Sequence, residues 1–400
     1  MLSSIELLAI VTIGVLALGA VEVVRHRWNL EKIPIRIHVS GTRGKSSVTR
    51  LIAAGLREAG ITTAAKTTGT LARMILPDAN EIPVFRPSGA NIIEQIRIIA
   101  TARDFDAKAI VVECMALQPE YHWLSESLLV RATHGVITNI RADHLDVMGP
   151  TEEDVAKAIA SMTPVKGVLF TAERRHLHTL QMAANDRGTL LIAVTDDDLK
   201  AVTDDDLAKF SYTEHRENVA LVLKILEHLG VARDVALRGL WKTKPDPGAL
   251  TEHTLDFFGR RIIFVNGFAA NDPESSEMIW RLSRKRYQEV EQTIALFNLR
   301  ADRPSRTVQL AKDASFWREA DKVVLMGTGA YLFARVAAED GEDASRFAFG
   351  EDESIEEIFE RIVELCTSGS TLIVGMGNIG GQGLGLVRYF RNRSLPGNAR

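Results

Sequence analysis

The sequence has few cysteines, few aromatic residues and no excess of positive charge. Its 400 residues include two cysteines, Cys114 and Cys366, whose separation fits neither a disulfide framework nor a zinc-binding spacing. Such a chain suits a reducing compartment. The net charge of −4 argues against a nucleic-acid-binding protein, which is usually basic. We therefore expect no nucleic-acid partner, and we expect Cys114, which follows an apolar run, to be a packed core residue.

An uncharged apolar run occupies residues 7–21, close to the N-terminus. No lysine or arginine precedes this run, whereas Arg25 and Arg27 follow it. A membrane-spanning helix needs about 17–25 apolar residues, and a secretory signal would carry positive charge before the run. We therefore expect residues 1–30 to form a single-pass anchor in the cell membrane, with the catalytic domains facing the cytoplasm. The alternatives are a buried soluble helix and a signal peptide.

Beyond this run, short β-rich segments alternate with helical periodicities, which is typical of a parallel α/β sheet. The first group comprises strands at residues 33–39, 109–113 and 135–140 and helices at residues 46–59 and 216–229. After the breaker cluster at residues 244–248, strand-like runs recur at residues 261–265, 293–298, 323–326 and 371–374. One core rarely exceeds about 250–300 residues. We predict a parallel-sheet α/β domain over residues 31–245 and a smaller Rossmann-like α/β domain over residues 246–400.

A glycine-containing turn joins the first predicted strand to the first predicted helix. It contains Gly41, Thr42, Arg43 and Gly44, and it is followed by Lys45, Ser46 and Ser47. Backbone N–H groups at such a helix N-terminus face an anion. Lys45 would reach the β- and γ-phosphates of ATP, and the Ser46 hydroxyl would hold Mg²⁺. The common P-loop has a glycine five residues before its second glycine, but Val39 occupies that position, so this loop is a shorter form. It nevertheless predicts that the domain over residues 31–245 is a P-loop ATPase domain.

Polar residues follow two further predicted strands. Glu113 ends the apolar run at residues 109–112, and Asn139, Asp143, His144 and Asp146 follow the strand at residues 135–140. The carboxyl ends of parallel strands line the ligand crevice of an open α/β sheet. Glu113 could therefore supply a hard oxygen ligand for Mg²⁺. His144, flanked by two acids, is predicted to be a site residue.

The short loop, the strand-end Glu113 and the segment from Thr138 to Asp146 together resemble the Mur ligase family. This family includes the peptidoglycan amino-acid ligases and folylpolyglutamate synthase, and the resemblance covers roughly residues 33–400. It implies that Lys45 contacts phosphates and that ATP is used with two Mg²⁺ ions. The resemblance further implies that Ser46, Thr67, Glu113 and His144 bind metal. It implies catalytic roles for Lys45, Glu113, His144 and Asn139. It also implies nucleotide contacts by Asn218 and Asp302 and a substrate contact by Thr68.

Within this family, the chain resembles the ligases that build poly-γ-glutamate. The carrying segments include residues 66–70, 113–116, 245–249 and 265–272. The resemblance implies glutamate and the growing polymer as substrates, small membrane subunits as partners, and a homo-oligomer. Two positions depart from the family pattern. Ile159 stands where many members have a carbamylated lysine, with Lys157 two residues earlier, and Ala270 stands where a histidine is usual.

Arg300, Arg303 and Arg306 follow a predicted strand in the second domain, with Asp302 among them. Guanidinium groups bind carboxylates through paired hydrogen bonds, so this cluster could hold a glutamate-rich substrate. The function predicted is an ATP-dependent amide ligase that activates a glutamate carboxylate as an acyl phosphate and joins it to a glutamate amine. The alternatives are a membrane-tethered P-loop NTPase that energises transport or switching, and a folylpolyglutamate-type ligase.

Overall fold

The computed structural model describes residues 3–69, 71–86, 89–246, 248–270, 272–312, 314–366 and 369–394. Thr70, Pro247 and Asn271, which carry part of the family resemblance, lie outside the described residues. The chain divides into two compact units. The first comprises Met1–Asp206 and His215–Lys244, and the second comprises Leu207–Glu214 and Pro245–Arg400. The expected boundary after residue 245 lies beside this division, but sequence patterns did not indicate that Leu207–Glu214 belongs to the second unit.

Helix α1, Ser4–Glu31, contains the apolar run. Ser3 caps it, because the Ser3 hydroxyl accepts from the Glu6 amide while the Glu6 carboxylate accepts from Ser3. Among the described residues, α1 is the one helix long and apolar enough to cross a membrane. Its most apolar 18-residue window has a mean hydropathy of 2.5, and none of it is buried. Only the end of α1, at His26, Asn29 and Leu30, is buried. The helix is therefore compatible with a membrane anchor.

The first unit is built on an eight-stranded sheet of order β4-β3-β2-β5-β1-β6-β7-β8. The two outermost pairings on one side, β2–β3 and β3–β4, are antiparallel, and the others are parallel. Its strands are β1 Ile35–Ser40, β2 Thr63–Thr67, β3 Arg73–Ile75, β4 Glu81–Pro83, β5 Ala109–Glu113, β6 His134–Ile137, β7 Val168–Thr171 and β8 Leu190–Ala193. The central strand β1 lies between β5 and β6, which follow it much later in the chain.

Helices connect these strands. Helix α2, Lys45–Glu58, is buried on all sides from Val48 to Leu56. The remaining helices of this part of the chain are α3 Glu94–Asp104, α4 Pro119–Leu124, α5 Leu145–Met148, α6 Glu152–Ala160, α7 Leu177–Asp186, α8 Asp196–Ala201, α9 Asp204–Ala208, α10 Arg216–His228 and α11 Arg233–Trp241. A single π-helical segment, Ser125–Val130, continues α4.

The second unit contains a six-stranded sheet of order β13-β12-β11-β14-β10-β9, in which only β9 is antiparallel to its neighbour. Apolar clusters cover both faces of this sheet, as expected for buried parallel strands. Its strands are β9 Thr251–Phe257, β10 Arg260–Asn266, β11 Gln292–Leu299, β12 Lys322–Gly327, β13 Phe347–Gly350 and β14 Ser370–Gly377. Its helices are α12 Pro273–Arg286, α13 Pro304–Lys312, α14 Ala330–Glu339, α15 Ile355–Leu365 and α16 Gln382–Arg393. The predicted mixed α/β class with two parallel-rich sheets is confirmed.

Candidate active site in the first unit

The glycine loop lies between β1 and α2, as predicted. Gly41 has a φ of 126° and Gly44 a φ of 79°, conformations that L side chains rarely adopt. A Cβ atom at Gly41 would collide with the Thr138 hydroxyl, and one at Gly44 would lie 2.9 Å from the Asn218 side chain. The Lys45 ammonium donates to the Gly41 carbonyl at 2.7 Å and to the Thr42 carbonyl at 3.2 Å. The two glycines therefore allow the tight backbone turn that brings the loop carbonyls within hydrogen-bond distance of the Lys45 ammonium.

Asn139 holds this loop from the neighbouring strand end. Its Oδ1 accepts from the Thr42 hydroxyl at 2.8 Å and from the Arg43 amide at 3.0 Å, and its Nδ2 donates to the Arg43 carbonyl at 3.1 Å. The Thr138 hydroxyl donates to the same carbonyl at 2.6 Å. These bonds fix the loop backbone in place before any ligand binds. The role of Thr138 in holding the loop was not predicted from the sequence.

Glu113 ends β5 beside the start of α2. Its Oε2 accepts from the Ser46 hydroxyl at 2.8 Å and from the Thr68 amide at 2.7 Å. The register places Val39 opposite Glu113, so the carboxylate lies next to the beginning of the glycine loop. Only 2% of Glu113 is exposed. The parallel pairing of β1, β2 and β5 therefore brings together three residues that are far apart in the sequence.

The residues around Glu113 fit a hard divalent cation. Thr67 is fully buried, and its hydroxyl has no hydrogen-bond partner, so a free oxygen is available beside the segment that contacts Glu113. Among the described residues, no group of three or more His, Cys, Asp or Glu side chains forms a metal site. A cation at this edge would therefore depend on hydroxyl, carboxylate and phosphate oxygens, which are the ligands that Mg²⁺ prefers.

His144 and Asn218 both lie near the glycine loop. His144 has φ 48° and ψ 45° at the start of α5, and its Nε2 lies 3.9 Å from Asp143. Arg43 joins Asp143 to the loop through an ion pair of 2.9 Å. Asn218 lies in the first turn of α10, close to Gly44. The structure thus links the loop to the Asp143–His144 segment through Arg43. Ser47 lies in the first turn of α2.

The predicted arginine cluster lies in the second unit, at the end of β11. Arg300 forms a two-point ion pair with Asp302, at 2.9 and 2.6 Å. Arg303 precedes α13 and Arg306 lies within it. The nearby Asn298 side chain donates to the Gly380 carbonyl at 2.8 Å, which ties the turn after β14 to the same sheet edge. The four charged residues therefore lie at the carboxyl edge of the second sheet.

Sequence patterns missed a buried ionic group next to Glu113. Lys66 on β2 is fully buried, and its ammonium lies 2.6 Å from Glu94. Arg86 binds the same carboxylate through two bonds of 2.8 and 2.7 Å. Burial lowers the pKa of Lys66, although Glu94 opposes that shift. The one signal available in β2 was Lys66 itself, a lysine beside Ala64 and Ala65, because Glu94 and Arg86 lie in other elements.

A second buried group lies on the other side of Glu113. His38 on β1 bonds Glu126 at 2.7 Å, and Cys114 lies 3.6 Å from His122. Burial alone would lower the pKa of His38, but its contacts with Cys114 and Glu126 raise it to about 9. Burial likewise opposes ionisation of Cys114, but the two histidines hold its pKa well below the usual range. The prediction that Cys114 is a packed core residue is confirmed, since it lies in a buried cluster with Ala116 and Met162 in addition to its contacts with the two histidines.

Comparison with known proteins agrees with this geometry. Residues 39–228 match the Mur ligase middle domain, and residues 252–393 match the poly-gamma-glutamate synthase CapB C-terminal domain. The chain is therefore an ATP-dependent ligase of the Mur ligase class.

Capsule biosynthesis protein CapB of Bacillus anthracis is 38% identical over 330 residues, which cover 82% of this chain and 70% of that protein. PGA synthase CapB of Bacillus subtilis is 36% identical over 377 residues, which cover 94% of this chain and 95% of that protein. The chain belongs to the CapB family of poly-γ-glutamate synthases.

Solved structures show the same fold at low identity. FolC of E. coli in complex with ADP is 16% identical, has a TM-score of 0.68, and the alignment covers 93% of this chain and 92% of FolC. A bifunctional folylpolyglutamate synthase/dihydrofolate synthase, solved with Mn, AMPPNP and L-glutamate bound, is 14% identical with a TM-score of 0.64 and 92% coverage of both chains. The predicted Mur ligase resemblance and fold are therefore confirmed.

Proposed function

We propose that this chain joins glutamate residues into poly-γ-glutamate at the expense of ATP. The γ-carboxylate of one glutamate attacks the γ-phosphate of ATP, which yields an acyl phosphate and ADP. The amine of the next glutamate then attacks the acyl carbon, an amide bond forms, and phosphate leaves. A free carboxylate is a poor electrophile, so the acyl phosphate is what makes amide formation feasible.

The observation that carries the proposal is the contact of Glu113 with Ser46 and Thr68 beside the lysine-bearing loop, in a chain 36% identical to PGA synthase CapB over 94% of its length. In the proposed site, the α2 N-terminus and Lys45 bind the phosphates. Ser46, Thr67 and Glu113 would hold one Mg²⁺, and His144 would serve a second. Bound there, Mg²⁺ would supply positive charge that offsets the negative charge developed during phosphoryl transfer.

Other residues are proposed to position the two substrates. Asn139 supports the phosphate loop, while Asn218 and Asp302 contact the nucleotide. Arg300, Arg303 and Arg306 bind glutamate carboxylates, since guanidinium groups match carboxylate geometry. In the first unit, Thr68 contacts a glutamate substrate. We further propose that residues 31–245 form the ATP-binding domain and residues 246–400 the domain that completes the ligase.

We also propose that α1 spans the cell membrane once. The 18-residue window of α1 extends about 27 Å as a helix, close to the thickness of the hydrocarbon core. Arg25 and Arg27 follow this window, which favours a cytoplasmic location for both units. Small membrane subunits are proposed partners, since the polymer must leave the cell to form a capsule. A second copy of this chain is the other proposed partner.

Trapping of the acyl phosphate tests the proposed chemistry. The full-length chain in detergent is incubated with ATP, Mg²⁺, hydroxylamine and either L- or D-glutamate, and glutamyl hydroxamate is measured. We expect hydroxamate with one or both enantiomers and its loss in Lys45→Ala. Lys200→Ala is the matched control, because the Lys200 side chain is 79% exposed and pairs with the surface residue Asp197.

Three results would overturn the proposal. Hydroxamate formation that persists in Lys45→Ala would exclude the phosphate-binding role of the loop. ATP turnover that is unaffected by glutamate, with no hydroxamate, would favour the transport NTPase instead. Hydroxamate that requires a folate rather than free glutamate would favour the folylpolyglutamate-type ligase.

A further inference from the structure

Arg73 on β3 lies opposite Thr67, at the carboxyl end of β2, although no sequence pattern singled it out. The antiparallel register of the two strands pairs Thr67 with Arg73 directly. Opposite residues of such a pair have their side chains on the same face of the sheet, with Cβ atoms about 4.5–5.5 Å apart. Arg73 is therefore a neighbour of the strand end at which the magnesium site is proposed.

The same face of the sheet carries Glu113. Strands β2 and β5 pair in parallel, with Lys66 opposite Val112. The next residue of each strand, Thr67 and Glu113, therefore also share one face. Helix α2 covers that face, because its Ser46 hydroxyl donates to Glu113 at 2.8 Å. The arginine opposite Thr67 thus extends a row of side chains across three neighbouring strands, next to the beginning of α2.

The Arg73 guanidinium is available to a ligand. Arg73 is half-buried, and no residue in the described part of the chain forms a hydrogen bond or an ion pair with it. Glu81 on the adjacent strand β4 accepts two bonds from Arg50 instead, at 2.5 and 3.1 Å. Guanidinium groups bind carboxylates and phosphates through paired hydrogen bonds. The open position beside Arg73 therefore suits an anion.

The sheet order separates Arg73 from the phosphate-binding loop. Strands β5 and β2 lie between β3 and β1, the strand that leads into the loop. Neighbouring strands are about 4.8 Å apart, so β3 is about 14 Å from β1, whereas β5 is adjacent to it. Arg73 thus lies beyond Glu113 and Thr67, on the side away from the loop. An anion beside Arg73 belongs to the second substrate, because a phosphate bound by the loop lies nearer to β1.

We propose that Arg73 binds the α-carboxylate of the donor glutamate, the residue whose γ-carboxylate attacks ATP. The two carboxylates of one glutamate are separated by a distance similar to one strand spacing, which is the distance from β2 to β3. A γ-carboxylate at the proposed magnesium edge of β2 and β5 therefore leaves the α-carboxylate level with β3, beside the guanidinium. Arg73 in this way determines which of the two carboxylates reacts.

The same contact serves free glutamate and the growing polymer, because every residue of a γ-linked chain retains its α-carboxylate. It also complements Thr68, which is proposed to contact a glutamate substrate from the end of β2. Arg73 is thus a specificity-determining residue of the first unit. The proposal rests on the ligase activity of the proposed function.

Discrimination between glutamate and 4-aminobutyrate tests this contact. 4-Aminobutyrate is glutamate without the α-carboxylate, and its remaining carboxylate can still be converted to an acyl phosphate. The full-length chain in detergent is given ATP, Mg²⁺, hydroxylamine and one of the two acids, and kcat and KM for hydroxamate formation are measured. We expect Arg73→Gln to raise the KM for glutamate about 10- to 100-fold, since hydrogen bonds to a charged group are lost. The KM for ATP and the rate with 4-aminobutyrate should not change.

Two further variants complete the experiment. Arg73→Lys keeps the charge but loses the paired hydrogen bonds, so it should lose less of the preference for glutamate than Arg73→Gln does. Arg238→Gln is the matched control, because the Arg238 side chain is 50% exposed and pairs with Asp234 on the same helix. This control should keep the preference of the unaltered chain.

An unchanged preference for glutamate in Arg73→Gln would overturn the Arg73 contact and leave the ligase function intact. A raised KM for ATP in place of glutamate would also overturn it, because Arg73 would then serve the nucleotide. Equal loss of activity with both acids in both Arg73 variants would overturn it as well, because the loss would not depend on the α-carboxylate. No hydroxamate from either acid in the unaltered chain would overturn the proposed ligase function, and the Arg73 contact with it.

Discussion

Replacement of Glu94 by glutamine should destabilise the edge of the first sheet. Glu94 compensates the fully buried ammonium of Lys66 at 2.6 Å. Removing one partner of a buried ion pair costs about 3–5 kcal/mol, because the other charge is left uncompensated. A loss of 3 kcal/mol corresponds to roughly a 150-fold increase in the opening of β2. Hydrogen exchange of the β2 amides at neutral pH measures this increase directly.

The effect of Glu94→Gln should also depend on pH. Burial lowers the pKa of Lys66, so the folded state binds fewer protons on this amine than the unfolded chain does. Stability from this group therefore rises with pH, up to the unfolded pKa of about 10.4. Without Glu94, the pKa of Lys66 falls further. The cost of Glu94→Gln is therefore greatest near neutral pH and decreases towards about pH 10.

A double-mutant cycle with Lys66→Met isolates the pair. In the Lys66→Met background, Glu94→Gln should cost much less, since no buried ammonium remains. Glu58→Gln is the control, because Glu58 forms exposed ion pairs with Lys242 and Arg238 and such pairs contribute about 0–1 kcal/mol. An equal cost of Glu94→Gln in both backgrounds, or a cost that does not change with pH, would refute the reasoning.

Two further substitutions test the loop and the buried histidine. Gly41→Ala should abolish ATP binding measured by calorimetry, because the added Cβ would collide with the Thr138 hydroxyl. Gly60→Ala is the control and should bind ATP normally, because Gly60 also has a positive φ but has open space around it. Glu126→Gln should lower the thermal midpoint at pH 7, because contacts with Cys114 and Glu126 raise the pKa of His38 to about 9 and the variant weakens the contact with residue 126. The stabilisation from His38 is complete below its unfolded pKa of about 6.5 and is lost as the pH rises through 9, so the variant should approach the unaltered chain at about pH 10.

Local patterns were enough to predict the elements that form the loop. The strand Ala109–Glu113 was predicted at its observed bounds, and β1 and α2 differ from their predicted ranges by one or two residues at each end. These segments combine apolar strands with a glycine turn, so local signals agree with the tertiary structure. The strands β2, β3 and β4 were missed because they are short, and β2 contains the charged Lys66.

The partners of Glu113 could not be predicted from local patterns. Strand β5 lies between β1 and β2 only because the sheet order departs from chain order. The contacts of Glu113 with Ser46 and Thr68 follow from that order, as do the buried groups around Lys66 and His38. The sequence indicated which residue types carry the chemistry, whereas the neighbours that orient them depend on strand pairing over long sequence separations.

The most direct test of the central claim is the number of ADP molecules released for each γ-amide bond formed. The full-length chain is supplied with ATP, Mg²⁺ and isotopically labelled glutamate, and ADP and oligomer length are measured in the same samples. The account predicts about one ADP for each bond, and no ADP release above background when glutamate is absent. ADP release at the same rate without glutamate, or polymer growth without ADP release, would contradict it.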